Sequence, residues 1–290
     1  MFKGAIVALV TPFKKGNVDE KRLAELVEFH IKNGTTGIVP CGTTGESATL
    51  SYEEHDRVIE VVIEAAGKKI PVIAGTGSNS TAEALMLTKH AKKAGADASL
   101  QVSPYYNKPT QEGLYQHFKT IAEGVDLPMI VYNIASRTGV NIEPETMARI
   151  SKVKNIVGVK ESSGSLEQMS MIRYLCGEKF YLISGDDALT LPLLAIGGTG
   201  VISVVNNIVP RDVSDMVAKF HKQDIEGARK LHYKLLPLIK AIFIETNPIP
   251  IKIAMSLMGM IEPDLRLPLC PMSEGNLEKL KKALKDYNLL

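Results

Sequence analysis

Eight short apolar runs recur along the chain, each closed by glycine, proline or a polar residue and most followed by a stretch with apolar positions three and four apart. Their bounds read as Ala5 to Val10, Gly37 to Pro40, Pro71 to Ala74, Ala98 to Val102, Pro128 to Tyr132, Ile156 to Lys160, Phe180 to Ser184 and Gly200 to Val204. Runs that are apolar throughout, rather than alternating, mark parallel strands buried on both faces. The first intervening stretch opens at Val18-Asp19-Glu20-Lys21 and carries Leu23, Leu26, Val27 and His30 at helical spacing. Others run from Glu53 to Ala66, Thr81 to Ala94, Gln111 to Glu123, Glu143 to Ser151 and Leu166 to Tyr174. Strands alternating with amphipathic helices predict βαβ units, and eight strands within about 205 residues predict an α/β fold closed as a (β/α)8 TIM barrel. A doubly wound open sheet is the alternative. It is disfavoured because no G-x-G-x-x-G opens the first helix, and Gly75-Thr76-Gly77 after the third run lacks the last glycine.

Past the eighth run the strands stop. Arg211 to His221, Ile225 to Glu245, Ile249 to Met260 and Ser273 to Tyr287 all have helical spacing, with a turn at Thr246-Asn247-Pro248-Ile249-Pro250. The chain thus divides into a catalytic barrel over residues 1–223 and a C-terminal helical extension over 224–290 that packs on it.

Within this pattern one run is chemically distinct: Ile156-Val157-Gly158-Val159-Lys160 passes from apolar residues to an amine in a single step. Barrel enzymes build their sites at the carboxyl ends of the strands. Partial desolvation there favours a neutral amine, which is a nucleophile toward carbonyls. The ordinary alternative is a lysine that snorkels its ammonium into water.

The same logic collects the residues after the other strands around one pocket. Gly42-Thr43-Thr44-Gly45-Glu46-Ser47 offers two threonine hydroxyls and glycine-flanked N–H groups suited to a carboxylate, although a plain turn with a hydroxyl N-cap has the same composition. Pro104-Tyr105-Tyr106-Asn107 places two tyrosines in a loop, where a packing or interface role is the common one. Tyr132-Asn133 leads into Ser136-Arg137-Thr138-Gly139, whose arginine can clamp a carboxylate or form a surface ion pair. Gly185-Asp186-Asp187 reads as an N-cap rather than a magnesium site, and Gly200-Val201-Ile202-Ser203 offers main chain for the floor. Together these suit imine chemistry on a small anionic carbonyl compound, with hydroxyls moving protons and no cofactor beyond the lysine itself.

Composition narrows the alternatives. With 290 residues, 45% of them hydrophobic and 23% charged, the chain can bury a large core, and its formal charge of +2 is not massed in a patch that would suggest nucleic acid. Neither a leader of the secretory kind nor an apolar stretch of membrane-spanning length is present, so a cytoplasmic location is expected. Cys41, Cys176 and Cys270 lie far apart with no C-x-x-C, and the six histidines form no H-E-x-x-H, so no metal is expected.

Five motifs in order, Gly42 to Ser47, Pro104-Tyr105-Tyr106-Asn107-Lys108-Pro109, Tyr132-Asn133 with Ser136 to Gly139, Val159-Lys160-Glu161 and Asn247-Pro248-Ile249-Pro250, resemble the dihydrodipicolinate synthase family essentially end to end. The resemblance implies condensation of pyruvate with L-aspartate 4-semialdehyde to 4-hydroxy-tetrahydrodipicolinate, on the way to lysine, in a homotetramer built as a dimer of dimers. It assigns the imine to Lys160 and the proton donor and acceptor to Tyr132, with Thr43 and Tyr106 completing a relay and Tyr106 reaching in from a neighbouring subunit. It gives pyruvate to Thr44, Ile202 and Gly185, and the second substrate to Arg137. Ala135 stands where the family's loop commonly has proline. Ser47, Ala48, His55, Asn79, Glu83 and Tyr105 match positions that hold L-lysine in feedback-inhibited members, in which a histidine often takes the place of Tyr52. N-acetylneuraminate lyase and keto-deoxy sugar acid aldolases share the lysine and tyrosine, and a keto-acid sensor without turnover would need only the lysine and a carboxylate clamp. The Ser136-Arg137-Thr138-Gly139 loop and the full set of relay hydroxyls favour the synthase.

Overall fold

A computed structural model describes all 290 residues. Eight parallel strands, β1 (Gly4–Ala8), β2 (Gly37–Val39), β3 (Ile73–Gly75), β4 (Ala98–Val102), β5 (Met129–Asn133), β6 (Ile156–Glu161), β7 (Tyr181–Ser184) and β8 (Gly200–Ser203), form one sheet. In space the order is β2-β1-β8-β7-β6-β5-β4-β3. The two outer strands then meet: Ile38 bridges Val72, Ile38 N–H donates to Pro71 O at 3.0 Å, and Gly75 N–H donates to Pro40 O at 3.0 Å. The sheet is therefore a barrel, as the alternation of strands and helices predicts.

The strands form where they do because both of their faces are covered. Ile6, Ala8, Val39, Ile73, Leu100, Ile130, Tyr132, Ile183 and Ile202 fill the barrel's interior. Ala5, Val7, Leu9, Ile38 and Val201 face outward against helices. Gly158 lets β6 and β7 come together, since a side chain there would meet Tyr181 O at 2.6 Å.

Helices α1 (Glu20–Lys32), α2 (Tyr52–Ala66), α3 (Thr81–Ala94), α4 (Gln111–Gly124), α5 (Pro144–Ile150), α6 (Leu166–Cys176), α7 (Thr190–Ala195) and α8 (Pro210–His221) surround the sheet. At the carboxyl face the loops into α2, α3, α4 and α6 end in Ser51, Ser80, Thr110 and Ser165, whose side chains accept first-turn N–H groups. Each such cap contributes about 1 kcal/mol and fixes where a loop must end.

Helices α9 (Ile225–Ile242), α10 (Ile249–Leu257) and α11 (Glu274–Asp286) follow the barrel. Leu235, Leu238, Ile251, Met255, Leu280 and Leu284 of this extension share one continuous core with Val7, Leu9 and Val201 of the barrel. Two of these helices end earlier than their spacing predicts. Glu245 leaves α9 because its carboxylate accepts from Ser273 N, Ser273 Oγ and Asn276 Nδ2 at 2.8 to 3.1 Å, holding the start of α11. Gly259, at φ +71, turns the chain out of α10 while Met260 N–H reaches back to Met255 O at 2.9 Å. Elements without a counterpart in the sequence reading include α7, the one-turn helix Ala135–Thr138, and a small hairpin pairing Phe13–Lys14 with Asn17–Val18. No helix is long and apolar enough to cross a membrane.

Candidate active site

The fifth residue of β6 is Lys160, and its register partner on β5 is Tyr132. Parallel pairing puts both side chains on the same face, and Lys160 Nζ lies 4.1 Å from the centre of the Tyr132 ring. Lys160 is 6% exposed and Tyr132 5%. The snorkelling alternative is therefore not what the chain adopts: this amine is inside the barrel mouth, against an aromatic ring. Room for it comes from β7's end. A side chain at Gly185 would meet Lys160 Cε at 2.9 Å and Ser162 Oγ at 1.9 Å, so only glycine leaves the lysine space to move. Ile202 of β8 closes the barrel interior beside Tyr132 and Ile183.

After β2 the chain folds back on itself. Gly45 N–H and Ser47 N–H both donate to Gly42 O, at 3.1 and 3.4 Å, and Glu46 N–H donates to Thr43 O at 3.2 Å. Thr44 is buried, and its hydroxyl accepts from Asn247 Nδ2 at 3.0 Å. The Asn247–Pro248 peptide bond is cis, and Asn247 O in turn accepts from Arg137 Nη2 at 2.9 Å. Arg137 belongs to the one-turn helix Ala135–Thr138, which Gly139 ends at φ +73. Thus Thr44, Asn247 and Arg137 form one chain of contacts between barrel and extension, and no second protein acceptor occupies the guanidinium.

Thr43 and Arg137 line a cleft of about 660 Å³ that also takes in Ser47, Ala48, Tyr52, His55, Glu83 and Tyr105. The structure thereby brings together five of the six residues matched to L-lysine binding. The sixth, Asn79, lies behind them, donating to Tyr105 O at 3.1 Å while its own carbonyl accepts from Asn107 Nδ2 at 2.9 Å. Glu83 accepts from both Ser78 Oγ and Tyr52 Oη, and these bonds hold its carboxyl below the usual range. It is a fixed negative pole. His55 donates Nε2–H to Gly75 O at 2.9 Å, and burial pushes its pKa down, so it is a neutral ring in this wall.

Lys160 and Tyr132 do not line that cleft, and neither does Tyr106. It is 91% exposed, with φ +72, and projects from the loop after β4 into solvent.

Several contributors escaped the sequence reading. Glu161, next to Lys160, is fully buried and ties β5 to β6. It accepts from Asn133 Nδ2 at 3.1 Å and Ser163 N–H at 2.7 Å, while Asn133 Nδ2 also donates to Asn141 at 2.8 Å. Burial pushes its carboxyl pKa up, and those donors offset only part of the rise. The Val159-Lys160-Glu161 motif held the signal, an acid at a strand end where water is excluded. Asp186 is the expected N-cap, accepting from Ala188 N–H at 2.9 Å. Asp187, read only as part of that turn, is buried and accepts the N–H groups of Val204 and Val205 at 3.0 and 3.1 Å, anchoring the backbone just past Ile202.

These arrangements are similar to those of known proteins. The dihydrodipicolinate synthetase family model matches residues 1–287. A 4-hydroxy-tetrahydrodipicolinate synthase of Syntrophus aciditrophicus is 61% identical over 290 residues, covering all of both chains. Among solved structures, dihydrodipicolinate synthase from Aquifex aeolicus superposes with a TM-score of 0.98 at 54% identity over 99% of each chain. The Acinetobacter baumannii synthase, complexed with pyruvate, gives 0.98 at 48% identity over all of both chains. The Cyanidioschyzon merolae protein, with lysine bound, gives 0.96 at 44% identity, over 100% of this chain and 99% of that one.

Proposed function

The chain belongs to the dihydrodipicolinate synthetase family, and from that premise we propose how its own residues carry the reaction. The activity is that of a 4-hydroxy-tetrahydrodipicolinate synthase, a lyase of lysine biosynthesis that joins pyruvate to L-aspartate 4-semialdehyde. Lys160 Nζ attacks the keto carbon of pyruvate and water leaves, giving a protonated imine. Loss of a methyl proton converts the imine to an enamine, whose carbon adds to the aldehyde of the second substrate. The amino group of that substrate then displaces Lys160, closing the ring. Each step moves a proton at a carbon, oxygen or nitrogen within reach of Tyr132, which with Thr43 and a partner's copy of the Tyr106 loop forms the relay. Thr44, Gly185 and Ile202 bound the pyruvate end of the pocket. The observation that carries this reading is a lysine 6% exposed, held 4.1 Å from a tyrosine ring and given space by Gly185. A coupled assay with pyruvate and aspartate semialdehyde tests it, with N-acetylneuraminate as the control that a sugar-acid aldolase would cleave.

Arg137 is proposed to hold the carboxylate of the semialdehyde. One of its nitrogens is fixed on Asn247 O at 2.9 Å, which orients the guanidinium, and the rest faces the cleft. Arg137→Ala should weaken use of the aldehyde by roughly ten- to a hundredfold, the 1.5 to 3 kcal/mol of a charge-assisted hydrogen bond. Formation of the pyruvate imine, followed by borohydride trapping, should be nearly unchanged. An equal fall in both half-reactions would show instead that Arg137 shapes the whole pocket.

The cleft wall of Ser47, Ala48, His55, Glu83 and Tyr105, with Asn79 behind it, is proposed as an L-lysine site. The ionised Glu83 suits an α-ammonium, and Tyr105 adjoins Tyr106, so a ligand there acts on the relay through one peptide link. Lysine titrated to millimolar concentration is expected to slow the coupled assay. Unchanged rates with no heat of binding would leave this wall as structure alone. The homotetramer and the cytoplasmic location belong to the same proposal, the first supported by the exposure of Tyr106.

A further inference from the structure

Among the groups that the reaction as described does not use, Glu46 and Lys252 form a buried ion pair. Glu46 ends the turn after β2 that carries Thr43 and Thr44, and Lys252 stands on α10 of the extension. Lys252 Nζ is 2.5 Å from Glu46 Oε1, and both side chains are sealed from water, at 0% and 1% exposure. The Phe13 ring lies 4.2 Å from the same ammonium. The second oxygen of Glu46 accepts Arg266 N–H at 3.3 Å, and the Arg266 guanidinium forks onto Glu54 at 2.6 Å on each oxygen and donates to Thr49 O at 2.9 Å. Arg266 also donates to Gly16 O at 2.8 Å, so the assembly joins the turn after β2 and the segment that follows it to the hairpin of Phe13 and Gly16.

A buried ion pair is weak support for stability, because apolar residues of the same volume often hold a fold equally well. The backbone suggests another use. Cys41 and Glu46 open and close the turn at φ +54 and +52, in the left-handed region that a residue with a side chain enters only when its surroundings hold it there. Glu46 is held by its carboxylate on Lys252. Its backbone N–H bonds to Thr43 O at 3.2 Å, so the placement of Thr43 follows from the conformation of Glu46.

We propose that Glu46 and Lys252 are positioning residues: the pair locks the turn after β2 in its left-handed form and thereby sets Thr43 in the proton relay, so that the extension governs relay geometry from outside the barrel. This rests on the assignment of Thr43 to the relay. Three variants separate the two ideas. Glu46→Asp keeps both charges and withdraws the carboxylate by one methylene. Glu46→Gln with Lys252→Met removes the buried charges together. Thr43→Val removes the relay hydroxyl alone. Each is assayed for thermal midpoint, borohydride trapping of the pyruvate imine, pyruvate KM and kcat. Glu46→Asp and Thr43→Val should trap pyruvate as the parent does, with KM within about twofold, while kcat falls at least about tenfold, as loss of relay geometry requires. The double variant should recover much of the parent's thermal midpoint yet keep the low kcat. Parent-like kcat in Glu46→Asp or in the double variant, beside an impaired Thr43→Val, overturns the positioning role. An equal loss of imine trapping and turnover overturns it too. Parent-like kcat in Thr43→Val overturns the relay assignment and the proposal together. Should the double variant fail to fold, Glu46→Asp decides.

Discussion

Borohydride added together with pyruvate will leave a reduced three-carbon adduct on Lys160 and on no other lysine, and Lys160→Ala will lose turnover by on the order of 10³-fold or more, as removal of a covalent nucleophile does. The selectivity follows from two requirements that only this side chain meets, exclusion from bulk water and an open approach to the nitrogen. Surface lysines fail the first, since their side chains stand in water. Lys252 is the informative comparison. It is buried more deeply than Lys160, and burial pushes its pKa down, but Glu46 Oε1 sits 2.5 Å from its nitrogen and no solvent reaches it. A carbonyl has no path to that amine. Lys160 instead faces a tyrosine ring on one side and the space left by Gly185 on another. Peptide mapping of the trapped protein reads the result, and a label on Lys252 or full activity in Lys160→Ala would sink the imine mechanism.

How far the site could be read from the chain depends on the range of the contacts that build it. Lys160 and Tyr132 were legible because each is a polar residue ending an apolar strand, and barrel closure alone puts neighbouring strand ends side by side. Helix starts were legible to within a residue at α2, α3 and α4, where Ser51, Ser80 and Thr110 cap the first turns. The contacts that span the barrel and the extension were not. Thr44 and Asn247 are 203 residues apart, and Glu46 and Lys252 are 206 apart. No periodicity links residues at such distances; a lysine on α10 reads as one more polar position on an amphipathic helix until the fold brings Glu46 to it. The missed helix α7 is six residues long with Pro192 inside it, too short for a repeat to show. Glu245 was read as helical for a related reason, since its real use is to hold Ser273 and Asn276 at the start of α11.

The largest effect that one chain alone cannot explain belongs to Tyr106. A tyrosine 91% exposed, on a residue forced to φ +72, is an unfavourable use of a large aromatic side chain unless something covers it. If a second copy completes the relay with its Tyr106, two outcomes follow. Tyr106→Phe, which removes only the hydroxyl, should lower kcat by on the order of 10²-fold, the lower range for loss of a general acid or base. Mixing is the sharper test. A dimer of one Lys160→Ala chain and one Tyr106→Phe chain has one site with both defects and one with neither, because each site takes Lys160 from one chain and Tyr106 from the other. Random exchange makes half of the dimers hybrid, so two nearly inactive preparations, dissociated and reassociated together, should recover about a quarter of parental activity. Sites complete within one chain would recover nothing on mixing, whereas parent-like kcat in Tyr106→Phe would make Tyr106 an exposed surface residue with no part in the reaction.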